Sequence, residues 1–274
     1  MSTPPSLPSL PEGPQARPNR RVFATPRAIA ALILREMSTT YGRSPGGYLW
    51  AILEPLGTIA VMSALFATGF RSPSLGSNFA IYYATGVMPF YAFLMPANAV
   101  TGSIKFSRNL LSYPAVTFID AILARFLLNF LTQLLVSYII LTSLLTIFDT
   151  PNSLEFDKLL LAYTMAAALG IGFGTLNCFL ISILPVWQQV WAMLSRPLVL
   201  LSGVIFLHER IPQPYRSWLE YNPLVHVVGE SRAAFFPYYQ AAYVDPTYVF
   251  LTSFIMLVFG LVFLRRYKYD ILYY

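Results

Sequence analysis

Charge is what this 274-residue sequence has least of: Asp, Glu, Lys and Arg make up 11% of it, against 56% hydrophobic and 16% aromatic residues. Soluble domains carry roughly a quarter charged residues. Several apolar runs of about 20 residues cannot all be hidden in one core of this size, so an ordinary soluble enzyme or binding module is excluded. The single cysteine, Cys178, excludes an internal disulfide and any cysteine-based metal site, and within an apolar helix it reads as packing. His208 and His226 are the only histidines, and neither has cysteine or carboxylate partners at ligand spacing, so no metal is expected. Gly170-Ile-Gly-Phe-Gly174 lacks the Gly-Lys-Ser/Thr ending of a phosphate loop and follows no strand. Gly170 and Gly174 remain as a small-xxx-small pair for close helix packing. No Ser-His-Asp or paired-carboxylate arrangement is recognisable, so no catalytic residue is assigned. No apolar segment stands within signal-peptide distance of the start, and no cleavage is expected. The formal net charge of +6 does not point to nucleic acid, because the basic residues cluster at the ends of the apolar runs.

What is present is a series of those runs. They predict an all-α polytopic membrane protein with six transmembrane helices near 48–70, 79–102, 118–148, 159–184, 190–207 and 246–264. Residues 1–24, with six prolines by Pro18, read as a disordered cytoplasmic tail. Thr25-Pro26 is an N-cap followed by a first-turn proline, and it opens an interfacial amphipathic helix over 25–43. Ile29, Ile33, Met37 and Tyr41 share one ridge with Leu32 beside them, and Arg27 and Arg35 point the other way. A positively charged pre-anchor that only sets topology is the plainer alternative. Arg43-Ser-Pro-Gly-Gly47 then breaks the helix. Residues 208–245, rich in aromatics, predict short helices re-entering the outer leaflet, and 265–274 a second cytoplasmic tail. With both termini cytoplasmic, the inner segments hold 11 basic residues and the outer ones five, mixed with seven acids. That bias fixes the orientation.

Three places within this frame carry chemistry. Glu54-Pro55, inside the first span, reads either as a kink at a pore entrance or as a near-interface carboxylate that finds an Arg or water. Arg196-Pro197, in the fifth, either faces a substrate or snorkels to the headgroups. Between the second and third spans, Lys105 and Arg108 accompany Phe106, Leu110, Leu111 and Tyr113, which are too apolar for a free loop. Residues 106, 110 and 113 fall on one helical face, and Pro114 ends the helix. That face anchors to a partner protein or rests on lipid. Asp120 and Arg125 open the third span, either as part of this element or as a plain charged helix start.

Three stretches carry a resemblance. "REMSTTYGRSPGGYLWAILEP" (35–55) is similar to the start of the membrane subunit of capsular-polysaccharide ABC exporters, the KpsM-type branch of the ABC-2 permeases. "NLLSYPAVTFIDAILAR" (109–125) resembles their cytoplasmic coupling segment, and "PLVLLSGVIF" with "IPQPYRSWLEYNPLVHVVGESR" (197–232) their fifth span and outer loop. One departure stands out: the family pattern places Glu directly after the "NPLVHVV" run, where this chain has Gly229 and then Glu230. The resemblance covers about residues 33–240. It implies the ABC-2 permease fold and export of a lipid-linked capsular polysaccharide across the bacterial inner membrane. It also implies a homodimer and two copies of a separate ATPase that binds ATP and Mg, this chain holding no cofactor of its own. Periplasmic and outer-membrane export proteins are further partners it admits. It places Arg27, Arg35, Tyr41, Arg43, Tyr48, Trp50, Glu54 and Arg196 along the substrate path or its entrance. Lys105, Phe106, Arg108, Leu110, Leu111 and Tyr113 fall at the ATPase coupling element, and Trp218, Asn222, Pro223, His226, Glu230 and Arg232 at a periplasmic gate. An O-antigen or teichoic-acid exporter shares these features. A membrane-embedded transferase would need a carboxylate or histidine cluster at one face, and an ion-coupled carrier midplane acids and repeat symmetry.

Overall fold

The structure, a computed structural model, describes residues 24–41, 46–69, 73–111, 116–148 and 154–267. Arg43 and Tyr113 lie outside the described residues, as do the side chains of Tyr41 and Tyr48 and residues 1–23 and 268–274, while Arg265 and Arg266, expected in the second tail, belong to the last helix.

Ten α-helices are described: α1 (Ala24–Glu36), α2 (Gly47–Gly69), α3 (Phe79–Thr101), α4 (Ser103–Leu111), α5 (Phe118–Ile147), α6 (Phe156–Ile183), α7 (Trp187–Leu201), α8 (Tyr215–Leu219), α9 (Pro223–Phe235) and α10 (Pro246–Arg266). Their starts follow local chemistry. Asn78 and Asn222 accept hydrogen bonds from the backbone N–H two residues on, and Thr117 with Asp120 forms a reciprocal capping box. Pro223 and Pro246 stand at first helical positions, where a missing N–H costs nothing.

The core is built around α3. Ala84, Val87, Met88, Phe90, Phe93 and Ala97 are wholly buried along it, with α5, α6 and α9 against it and α10 on the far side of α6. Small residues set these distances. A Cβ added at Gly174 would lie 2.7 Å from Val100 Cβ and 2.9 Å from the Ala97 carbonyl, and one at Gly170 3.2 Å from the Phe93 carbonyl, so this pair seats α6 on α3. On the opposite face, Gly172 meets the Ser253 carbonyl and Gly260 of α10 meets Thr175 and Leu176. Backbones that approach this closely are the usual source of helix association where lipid removes the hydrophobic driving force.

Among the described residues five helices, α2, α3, α5, α6 and α10, are long and apolar enough to cross a membrane. The predicted fifth span, 190–207, is built differently. α7 is a 15-residue helix containing Pro197, and it ends at Ser202–Gly203, where Gly203 takes a φ of +74°. At about 1.5 Å per residue such a helix measures about 22 Å, short of a hydrocarbon core of about 30 Å. Residues 187–207 nonetheless run the length of α3. Trp191 Nε1 donates to Asn98 Oδ1 (2.8 Å) near one end, and the Tyr82 hydroxyl donates to the Ile205 carbonyl (3.2 Å) near the other.

The amphipathic segment also departs from its predicted pattern. α1 ends at Glu36, and the backbone passes through a π-turn at Met37–Tyr41. Its deepest positions are Leu32 and Glu36, with Ile29 and Ile33 half-buried and Met37 exposed. The buried stripe is turned from the apolar ridge towards Glu36 because that carboxylate pairs with Arg125 of α5.

The seating of α6 on α3 gives a direct test. Gly174→Ala forces backbone and a β-branched side chain apart, which costs about 1–3 kcal/mol, and the unfolding midpoint in detergent should fall by several degrees. Gly57→Ala on α2, where an added Cβ meets nothing within 4 Å, should leave the midpoint unchanged or raise it. Equal midpoints for the two variants would refute this packing.

Candidate functional site

At the end of the bundle where α3 turns into α4, four side chains from three helices form one cluster. Glu36 of α1 is buried and accepts from Arg125 Nε of α5 at 2.9 Å. The Phe106 ring of α4 lies between two guanidinium groups, with Arg125 Cζ at 4.6 Å and Arg35 Cζ at 5.1 Å from its centroid. One carboxylate and one ring thus hold two cations. Truncating one member of a buried ion pair leaves an unpaired charge, at a cost of about 3–5 kcal/mol. α4 is held by its other face too: Ser103, Ile104 and Ser107 are buried, Ser103 Oγ touches Cys178 Sγ at 3.4 Å, and Leu111 packs on the core. Lys105 and Arg108 are exposed, and Leu110 is half-exposed. The face expected to reach outward through Phe106 is therefore turned partly inward. Arg35, expected to point away from the bundle, meets Phe106 instead, while Arg27 is exposed.

Two cavities open near this end. One, of about 220 Å³, lies among α2, α3 and α5 and is lined by Trp50, Glu54, Tyr91, Asn129, Thr132 and Gln133. Glu54 is exposed here while Pro55 beside it is buried, so the carboxylate faces the cavity wall rather than the core. The other, of about 680 Å³, lies among the end of α3, α4, the end of α6 and the start of α7. Lys105, Arg108 and Arg196 all line it, with Gln188 and Trp191.

At the opposite end, α9 carries the residues expected at a gate. Arg232 is buried, although no carboxylate is paired with it among the described residues. Its Nη1 donates to the Gly203 carbonyl and its Nη2 to the Val204 carbonyl, each at 2.7 Å, and its Cζ lies 4.4 Å over the Tyr82 ring. Those carbonyls lie just past the end of α7, so the arginine secures the turn that follows the helix. Asn222 caps α9 through Oδ1 and donates from Nδ2 to the Leu201 carbonyl (3.0 Å). His226 accepts from Asp245 N–H at Nδ1 (3.0 Å), which makes Nε2–H the donor to the Glu220 carbonyl (2.9 Å). His208 Nε2 meets Glu220 Oε1 at 3.0 Å. Trp218 on α8 is exposed. Glu230 looks away from this group: burial raises its carboxyl pKa, Lys158 opposes the shift, and Asp157 and Glu155 add to it. Gly229 has no room for a side chain, since a Cβ there would overlap the Tyr243 hydroxyl. Burial pushes the Tyr243 phenol up to about 12. Its hydroxyl lies 3.3 Å from that of Tyr239, which donates to Glu209 Oε1 at 2.8 Å.

Several of the predicted positions thus come together. Arg35 and Phe106 share one cluster, Trp50 and Glu54 line one cavity, Lys105, Arg108 and Arg196 another, and Asn222, His226 and Arg232 brace one end. Sequence reading missed Glu36, Tyr82, Glu209, Tyr239 and Tyr243. Glu36 carried a usable signal, being the lone acid in a basic amphipathic helix. The three tyrosines had none, because aromatics are common throughout this chain.

Comparison with known proteins fits these features. The family described as ABC-2 type transporter matches residues 27–236, which include Arg35, Glu36, Phe106 and Arg125 at one end and Asn222, His226 and Arg232 at the other. The chain is 33% identical to the polysialic acid transport protein KpsM of Escherichia coli, over 86% of this chain and 92% of the relative. It is 30% identical to the capsule polysaccharide export inner-membrane protein CtrC of Neisseria meningitidis serogroup A, over 88% and 91%. For the capsule polysaccharide export inner-membrane protein BexB of Haemophilus influenzae the identity is 26%, over 88% and 91%. With five helices fit to cross a membrane and a family match spanning most of its length, the chain is a multi-pass membrane protein that belongs to the ABC-2 type transporter family.

Proposed function

We propose that this chain is the membrane subunit of an ABC exporter that carries a lipid-linked capsular polysaccharide across the bacterial inner membrane to the periplasm. The observation that carries the reading is the alignment with a polysialic acid transport protein over 92% of that relative's length. The chain contains no Gly-Lys-Ser/Thr phosphate loop, so it acts as a permease, and ATP with Mg is bound and hydrolysed by two copies of a partner ATPase. Both termini and α4 face the cytoplasm, as the Lys/Arg bias requires. Residues 187–207 make the sixth crossing, and α8 with α9 re-enters the outer leaflet as a periplasmic gate, where export proteins of the periplasm and outer membrane dock. Two copies pair about a two-fold axis, with the polymer path between them lined by α2 and α7. On α2, Leu49, Leu53, Leu56, Val61 and Leu65 are exposed in the single chain and available for that interface. Trp50 and Glu54, at the mouth of the smaller cavity, offer an aromatic face and a hydrogen-bonding carboxylate suited to a sugar ring.

Coupling runs through α4. The ATPase meets its exposed side, where Lys105, Arg108 and Leu110 stand, and motion passes inward through Phe106 to Arg35 and Arg125. Leu110→Asp should place an unpaired carboxylate in that contact at a cost of several kcal/mol. The ATPase should then be lost from detergent-purified complexes and export should stop. Phe106→Asp should behave differently, since its carboxylate falls between two guanidiniums and is neutralised there, and the ATPase should still co-purify. The opposite ranking would place the contact on the Phe106 face.

The dimer is checked by disulfide crosslinking. In a Cys178→Ser background, single cysteines at Leu53, Leu56 and Val61 should join two copies at one register or more. No dimer at any register in folded protein would rule out α2 as the shared surface.

A further inference from the structure

α5 is apolar for most of its length, yet Asn129, Thr132 and Gln133 stand on one face of it and line the smaller cavity. Gln133 is the sharpest of the three. Only 7% of it is exposed, and its side-chain amide makes no hydrogen bond among the described residues. Buried amides are almost always paired, and lipid offers no partner to one within a membrane span. The cavity is where its two donors and its acceptor open. Asn129 donates from Nδ2 to the Arg125 carbonyl (2.8 Å), which leaves Oδ1 as an acceptor. Thr132 Oγ1 donates to the Leu128 carbonyl (2.8 Å) and keeps its lone pairs.

The facing wall fixes the chemistry of what fits. Trp50 and Glu54 come from α2, both exposed in the single chain, and Tyr91 from α3. Glu54 forms no ion pair among the described residues, and no Lys, Arg or His is among those that line the cavity. A carboxylate without a cation beside it repels an anion and accepts strongly from hydroxyl groups. Amides that both donate and accept suit hydroxyls too, and an indole suits the C–H face of a ring. A bare metal cation would use the oxygens but neither the indole nor the space. At about 220 Å³ the cavity is smaller than the pockets of about 300–1,000 Å³ that hold drug-sized molecules, so it takes one ring and not a chain of them.

We propose that this cavity binds one uncharged, hydroxyl-bearing sugar ring, read by Gln133 and Asn129 from α5 and covered by Trp50 and Glu54 from α2. The site goes past the transport reading in two respects: the ring is uncharged, and Gln133 is the residue that reads it. Only the identity of the ring as a unit of the exported polymer rests on that reading. Gln133 is then kept against stability, since an apolar side chain in its place would leave no amide unpaired.

The complex with its ATPase, in lipid nanodiscs, is titrated with phenyl β-glucoside and with phenyl β-glucuronide, and binding is read by saturation-transfer NMR. The two probes differ only in a hydroxymethyl group against a carboxylate. The glucoside should bind, and the glucuronide at least about tenfold more weakly. Gln133→Leu should weaken the glucoside about tenfold, about 1.4 kcal/mol, while the unfolding midpoint stays equal or rises. A purely structural glutamine would instead lower the midpoint and leave binding unchanged. Glu54→Gln keeps a hydrogen-bonding group and removes the charge, so the glucuronide should then bind about as well as the glucoside. Binding of neither probe, equal binding of both, or an unchanged glucoside affinity in Gln133→Leu overturns the proposal. Any of these in a complex that still exports capsular polysaccharide leaves the transport reading standing. The Gln133 effect in a complex that exports no polysaccharide overturns the transport reading and leaves the site.

Discussion

A buried guanidinium with no carboxylate paired to it among the described residues holds one end of this molecule together. α7 stops short, and Gly203 turns the chain through a left-handed conformation that leaves two carbonyls without helical partners. In a membrane protein such groups cannot be left to lipid. Arg232, reaching from α9, donates to both, and its charge rests over the Tyr82 ring of α3. Three helices far apart in sequence are thereby fixed by one side chain. Ser231, its neighbour, reinforces the join by donating to the Thr85 carbonyl at 2.9 Å. The α7 break and the Arg232 clamp are one device: each would be costly without the other.

The opposite end solves a related problem with different parts. There α1 lies against the start of α5, and the single acid of α1 takes one of two arginines while the Phe106 ring serves both. A ring is a softer counter-charge than a carboxylate, about 0.5–2 kcal/mol for each cation. It tolerates sliding where an ion pair demands fixed geometry. The α9 end is thus held by directed hydrogen bonds to backbone, and the α4 end by contacts that permit small displacements. In the coupling proposed above, the looser join stands at the side where motion from the ATPase would enter.

Much of this was legible in the sequence, and the reason differs by element. The long helices were visible because 20-residue apolar runs have no other explanation in a chain with 11% charge. Pro26 marked the first turn of a helix because a missing N–H is harmless only there, but α1 begins at Ala24, so Thr25 lies inside the helix rather than capping it. Gly170 and Gly174 announced a close helix contact, and they make one. The end of α7 was misjudged because "PLVLLSGVIF" is apolar throughout. Hydropathy cannot see that Gly203 takes a positive φ once Arg232 is present to satisfy the carbonyls. Phe106 was placed on an outward face by periodicity alone. That periodicity carries no information about Arg35 and Arg125, which approach from 71 and 19 residues away in the chain.

Gly229 decides which polar groups meet at this end of the molecule. The sequence resemblance led to the expectation of a carboxylate at this step of α9, where Gly229 stands and Glu230 follows one residue on. Yet one residue turns a helical side chain by about 100°, and Glu230 accordingly faces Lys158, Asp157 and Glu155 at the start of α6. Tyr243 instead fills the space at Gly229. Its hydroxyl connects through Tyr239 to Glu209, whose second oxygen is buried and finds no hydrogen-bond partner among the described residues. A carboxylate is therefore present in this region, supplied from the turn after α7 rather than from α9 and reached through two phenols. Arg232 is close enough for its charge to act on Tyr243. Its own Nε is likewise buried without a partner among the described residues. The anion and the cation of this end are thus linked through a tyrosine rather than through a direct ion pair. Glycine at 229 is what makes room for that tyrosine, and a side chain restored there would cut the link between them.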